Sequence, residues 1–153
     1  MSWSKWSWCR AEGGAAAAEA ALIMTVLLLM IAGSIEFAEA LWTNNMMLLA
    51  VEQAGRYAMV HSQAPAPTCA AQKQASHCPV LSATPLANCA ASWAQEVLSS
   101  YQAPNIGVSA SEDTTSPPNT MTICASYSFK FIAPRLFPED FLELTARVTV
   151  PLI

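Results

Sequence analysis

The residues equipped for chemistry are few, and their spacing narrows what they can do. Four cysteines, Cys69, Cys78, Cys89 and Cys124, fall in the second half of the chain, and a fifth, Cys9, lies near its start. Thiols so placed either ligate a metal or pair as disulfides. A structural zinc site calls for closely spaced ligand pairs, but there is no C-x-x-C, and His77 beside Cys78 is the only histidine within a short step of a cysteine. Two disulfides are therefore expected and no metal, with three connectivities open to four thiols. His61 and His77 have no acid at a motif spacing. Glu112 and Asp113 stand in a Ser/Thr/Pro-rich turn, and Glu139 and Asp140 precede Phe141 as a turn or helix-start cluster. With no nucleophile elbow and no phosphate-cradling glycine loop, neither an enzyme nor a cofactor is expected.

One acid stands out by its surroundings. Glu19 lies inside "GGAAAAEAALIMTVLLLMIAGSIEF", residues 13–37, which is apolar almost from end to end and otherwise uncharged until Glu36. A carboxylate at the centre of a bilayer helix costs roughly 2.5–3.5 kcal/mol even on insertion scales, so its position or a partner must relieve that cost.

These residues sit in a chain of 153 that is 54% hydrophobic and only 12% charged, too apolar for an ordinary soluble protein of one-domain size. The excess is concentrated near the N-terminus. No charge interrupts Ala20 to Ile35, and Ala15 to Ala18 extend the run to the roughly 20 residues a membrane-spanning helix needs. A cleaved secretory signal is the rival reading, with Lys5 and Arg10 as its basic region. Its apolar region would be unusually long, and "IAGSIEFAEALW" continues without a break where cleavage should fall. Lys5 and Arg10 before the span and Glu36 and Glu39 after it place the N-terminus inside and the remainder outside. Cys9 then faces the reducing side, and the other four cysteines the oxidising one. A net charge of −4 with scattered basic residues argues against nucleic acid as a partner.

Beyond the span, the sequence has no proline from Glu36 to Ser62. Phe37, Leu41, Leu48, Val51, Gly55 and Met59 keep mostly helical steps, so one helix is expected from about Ala15 to His61, roughly 70 Å long at 1.5 Å per residue. The last few turns of the stripe are expected to pack on the chain's own domain, but the part that starts at Phe37, just outside a bilayer, needs another helix or a partner protein to cover it. The proline-rich segment after His61 is a loop that Cys69 and Cys78 can staple. Thr84 and Pro85 read as the N-cap and first position of a short helix whose buried face is Leu86, Cys89, Ala90, Trp93, Val97 and Tyr101. Alternation then marks three strands in "NIGVSAS", "TMTICASYSFKF" and "ELTARVTVPL", with antiparallel pairing favoured by short connections. In the second strand Cys124 shares parity with Thr122, Ser126 and Lys130, away from the main core. It can pair only if the sheet's second face is covered, or if it meets Cys69 or Cys78. The aromatics of "YSFKFIAPRLFPEDF" are expected to cover the core rather than to form a binding face.

The fold class is thus α+β: a long N-terminal transmembrane and protruding helix, a short second helix, and a small antiparallel sheet with disulfides. The parts are residues 1–14, 15–35 across the membrane, 36–62 as the helix extension, and 63–153 as the outer domain.

The glycine, four small residues, glutamate and long apolar helix with "IEF", then "GRYA", the cysteine-bearing loop and the closing "YSFKFIAPRLF" and "ARVTVPLI", resemble the TadE/TadG-like proteins of the bacterial tight-adherence (Flp) pilus assembly system. The resemblance implies a pilin-like protein, a minor pilin or pseudopilin in lollipop form, whose residues 1–14 are a leader cut by a prepilin peptidase between Gly14 and Ala15. Glu19 becomes the fifth residue of the mature chain. It further implies assembly through Glu19, Phe37 and Leu41, and other pilin-like subunits, tight-adherence assembly proteins, the prepilin peptidase and the membrane as partners. The location implied is the bacterial inner membrane, single-pass, N-terminus cytoplasmic and C-terminal domain periplasmic or extracellular. Entry into the fibre, capping of its tip and assistance to its assembly stay open. The alternative is a single-pass, membrane-anchored extracytoplasmic receptor or adhesin.

Overall fold

The computed structural model describes residues 12–64, 68–69, 75–76, 78, 84–101, 106–115, 118–131 and 141–152. The order of elements is α1 (Glu12–His61), α2 (Pro85–Ser100), β1 (Gly107–Asp113), β2 (Thr120–Lys130) and β3 (Phe141–Pro151). The class is α+β, as the sequence predicts. The chain divides into two units, Met1–Ala38 and Glu39–Ile153.

The first unit contains the N-terminal part of α1. Alanine, leucine and methionine have high helix propensity, and with no proline before Ser62 nothing breaks the hydrogen-bond ladder. From Gly14 to Ile35 every side chain is exposed. The two hydroxyls in this stretch are turned back on the backbone, Thr25 Oγ1 donating to the Ala21 carbonyl and Ser34 Oγ to that of Met30, each at 2.8 Å. Neither needs water.

The second unit is a three-stranded antiparallel sheet in the order β1-β2-β3, with the last turns of α1 and the whole of α2 contributing to its core. Register places Val108 opposite Ala125 and Ala110 opposite Ile123, and on the other side Ala125 opposite Ala146 and Met121 opposite Val150. These residues share one face. Met47, Ala50, Val51, Ala54 and Ala58 of α1 and Ala87, Ala90, Ala91, Ala94 and Leu98 of α2 complete the core with them.

The alanines explain two departures from the sequence reading. Of the expected α1 stripe, Val51 and Gly55 are buried and Met59 half-buried, and Phe37 and Leu41 are exposed as a stretch awaiting a partner would be; the departure is Leu48, which is exposed while Met47 and Ala50 are buried. Glu36, read as part of the polar side, is buried. On α2, Trp93 and Tyr101 are exposed, and Ala87, Ala91, Ala94 and Leu98 take the buried places. Small side chains let a helix backbone come close to a sheet, so the larger ones are left at the flanks. Gly55 is the extreme case: a Cβ there would stand 3.0 Å from Val150 Cγ1 and 3.5 Å from Val148 Cγ1.

The start of α2 is as expected. Thr84 is extended, its Oγ1 accepts from the Ala87 N–H at 3.2 Å, and Pro85 occupies the first turn where an N–H would lack a partner. All three strands form, with β1 running to Asp113, so Glu112 and Asp113 end a strand instead of standing wholly in the turn. Asp113 Oδ1 accepts from Thr115 Oγ1 at 2.6 Å and from the Thr115 N–H at 2.9 Å. These bonds, the side-chain one first, hold the Asp113 carboxyl below the ordinary carboxylate range. Of the aromatics expected to cover the core, Tyr127 packs against it, Phe129 is buried and meets Phe131 edge to face at 5.6 Å, Phe141 is exposed, and Phe137 lies outside the described residues.

Candidate assembly helix and disulfide framework

Gly14, Ala15 and Glu19 lie in the first turns of α1 and are exposed. Four residues make about one helical turn, so the Ala15 backbone nitrogen and the Glu19 side chain are neighbours on one side of the helix. Phe37, 65% exposed, and Leu41, 48% exposed, present their side chains outward. Lys5, Cys9, Arg10, His77, Glu139 and Asp140 lie outside the described residues.

An 18-residue window of α1 has a mean hydropathy of 2.3 with no part buried, so the helix is long and apolar enough to cross a membrane. The magnitude decides what such a surface requires. Leu22, Ile23, Met24, Val26, Leu27, Leu28, Leu29, Met30, Ile31 and Ile35 are all exposed. At roughly 1.5–3 kcal/mol for each large apolar side chain, burying this set is worth on the order of 15–30 kcal/mol, more than the whole stability of a typical domain. Such a surface is compatible with single-pass anchoring in a membrane.

The cysteines resolve into two pairs. Cys69 bonds Cys89 with Cα atoms 5.1 Å apart, and Cys78 bonds Cys124 with Cα atoms 5.9 Å apart. The first ties the loop after α1 to α2. The second ties it to the middle strand, on the face away from the main core, where Ala75, Cys78 and Cys124 form a small buried cluster. Covering of the second face is what the parity of Cys124 demands. Ser109, Ser111 and Ser126, on the same face, are buried too. Among the described residues no group of three or more histidines, cysteines or acids is placed to hold a metal.

Residues 14–64 match the family described as TadE-like protein. The TadE-like segment begins at Gly14 and ends three residues past α1, so it takes in the exposed apolar run and the alanine face that enters the second unit. It leaves α2, the sheet and both disulfides outside. The match covers 51 of the 153 residues, one third of the chain. No curated protein and no solved structure matches the chain.

Sequence reasoning missed one constellation outside the TadE-like reading. Tyr57, His61 and Trp93 bring their rings together on the surface of the second unit. The i, i+4 spacing of Tyr57 and His61 was the available signal. Trp93, large and apolar, reads from the sequence as a core residue.

Proposed function

We propose that this chain is a minor pilin or pseudopilin of a tight-adherence type IVb pilus assembly system. A prepilin peptidase cuts between Gly14 and Ala15 on the cytoplasmic side. The apolar helix then holds the chain in the bacterial inner membrane with the second unit outside, and packs against neighbouring subunits, Phe37 and Leu41 included. The observation that carries this reading is the TadE-like match beginning at Gly14 and running along an apolar helix whose side chains are exposed throughout residues 14–35.

The proposal gives Glu19 a physical role. Cutting after Gly14 creates an α-amino group, charged at neutral pH, one turn from the Glu19 carboxylate or open to the carboxylate of a neighbouring subunit. Pairing removes two charges from the edge of the bilayer at once. A pairing between subunits makes the acid a recruitment signal: an arriving chain relieves the buried charge of the one before it.

The test is the intact mass and N-terminal sequence of the protein from membranes, with and without a co-expressed prepilin peptidase and with Gly14→Glu as control. A chain beginning at Ala15 only with the peptidase and Gly14 supports the proposal. A chain retaining Met1 in every case sinks it in favour of an anchored receptor or adhesin, and a start between Ser34 and Leu41 makes it a secreted domain. In the processed protein, Glu19→Ala is expected to insert normally yet enter assemblies roughly tenfold less, the equivalent of about 1.4 kcal/mol.

A further inference from the structure

Tyr57, half-buried, packs against the core of the second unit. Trp93 of α2 lies against it, ring centroids 5.6 Å apart and planes within 16°, and His61 stacks on Tyr57 at 4.1 Å. Trp93 remains 41% exposed. Together with Gln53, Arg56 and Val60, the three rings line a shallow cleft of about 470 Å³. That volume lies in the range of small-molecule sites.

The polar groups at this cleft define its ligand. Gln53 offers an amide donor and acceptor. Arg56 offers guanidinium donors, steadied by its 2.6 Å ion pair with Glu52. His61 Nδ1 lies 2.9 Å from the Tyr57 carbonyl, which can only accept, so Nδ1 carries the hydrogen and Nε2 of the neutral ring is an acceptor. The part of the aromatic surface left open, Trp93 above all, edged by both donors and acceptors, suits a molecule with an apolar face and a rim of groups that both donate and accept. A pyranose ring has that form: its C–H bonds lie flat on aromatic rings and its hydroxyls point outward. A purely aliphatic ligand would strand the polar groups. An organic cation would meet the Arg56 guanidinium, whose paired carboxylate is already engaged. We infer that the cleft formed by Tyr57, His61 and Trp93, with Gln53 and Arg56 at its edge, is a binding site for a sugar ring of a glycan. This site is independent of processing at Gly14.

The experiment uses the full chain in phosphatidylcholine nanodiscs, free of sugar-headed detergent that would itself occupy the cleft. It is applied to an array of neutral and uronate-containing oligosaccharides, whose dense display compensates for weak single-site affinity. Retention on pyranose glycans is expected, lost tenfold or more in Trp93→Ala and also reduced in Gln53→Ala. The Gln53 variant removes no buried apolar group and should unfold at the wild-type temperature. Loss of uronate binding alone in Arg56→Gln would identify an acidic sugar as the ligand. No retention above protein-free nanodiscs overturns the inference, as does undiminished retention by folded Gln53→Ala.

Discussion

From Gly14 to Ile35 every side chain of α1 is exposed, whereas from Met47 to Ala58 the same helix buries Met47, Ala50, Val51, Ala54 and Ala58 in the core of the second unit. Composition does not separate the two stretches, since both are rich in alanine and large apolar residues. Arrangement does. In the first, large side chains surround the axis, which suits a medium that is apolar on all sides. In the second, small residues collect on one face and Glu52 and Arg56 stand on another, which suits a sheet on one side and water on the other. Where a helix is greasy all round, its environment is the solvent; where it is small on one side, its environment is a particular neighbour.

That contrast can be broken at its strongest point through the disulfides, which belong to the second unit alone. In the chain-entropy account, removing Cys78–Cys124 by paired serines, with a sequence separation of 46, should cost about 4 kcal/mol, and removing Cys69–Cys89, separated by 20, about 3 kcal/mol. Thermal unfolding followed by near-ultraviolet circular dichroism should show both losses in that order. Equal melting of oxidised and reduced protein would deny the disulfides any part in holding the unit together.

A pair of equivalent truncations sharpens the comparison. Leu98→Ala, in the core, should lower the stability of the second unit by about 2–5 kcal/mol. Leu27→Ala, on the exposed span, should leave that unfolding transition where it was. A matching loss from Leu27→Ala would mean that the stretch is packed on the chain's own core and is not waiting for lipid or subunits.

The smallest effect concerns the β1–β2 turn. The Asp113 carboxyl is held below its ordinary value of 3.8 by Thr115, so the stability it contributes is present above that value and lost as pH falls through the depressed folded value. Thr115→Val removes the first of the two bonds. Its carboxyl titration, followed by nuclear magnetic resonance, should move up toward 3.8, and an unmoved midpoint would show that the hydroxyl does not hold the charge.

How much of this was legible in the sequence depends on which force sets each feature. Strand parity was readable because alternation of Met121, Ile123 and Ala125, or of Ala146, Val148 and Val150, is imposed by the pleat itself. The Thr84–Pro85 helix start was readable because capping is local. The buried faces of the helices were not, because alanine carries little weight in a hydrophobic pattern, and Leu48 or Trp93 drew the reading away from Ala50 and Ala94. Disulfide connectivity was hidden for a different reason: it depends on how the loop after α1 crosses the sheet, which no spacing encodes. The likeness to the tight-adherence proteins lay in the order of small residues, acid and apolar run, and the match over residues 14–64 coincides with that order.

The burial of Met47, Ala50, Val51, Ala54 and Ala58 also bears on how such a protein can be divided. A fragment started after His61 would carry α2 and the sheet but lack one wall of their hydrophobic interior, so grafting the second unit onto a foreign helix requires a join inside α1, ahead of Ala40. The same holds for recombination among relatives. Any exchange that keeps α1 and replaces what lies beyond it must bring in a sheet shaped to accept alanines and the bare backbone of Gly55, so the long helix restricts which heads it can wear.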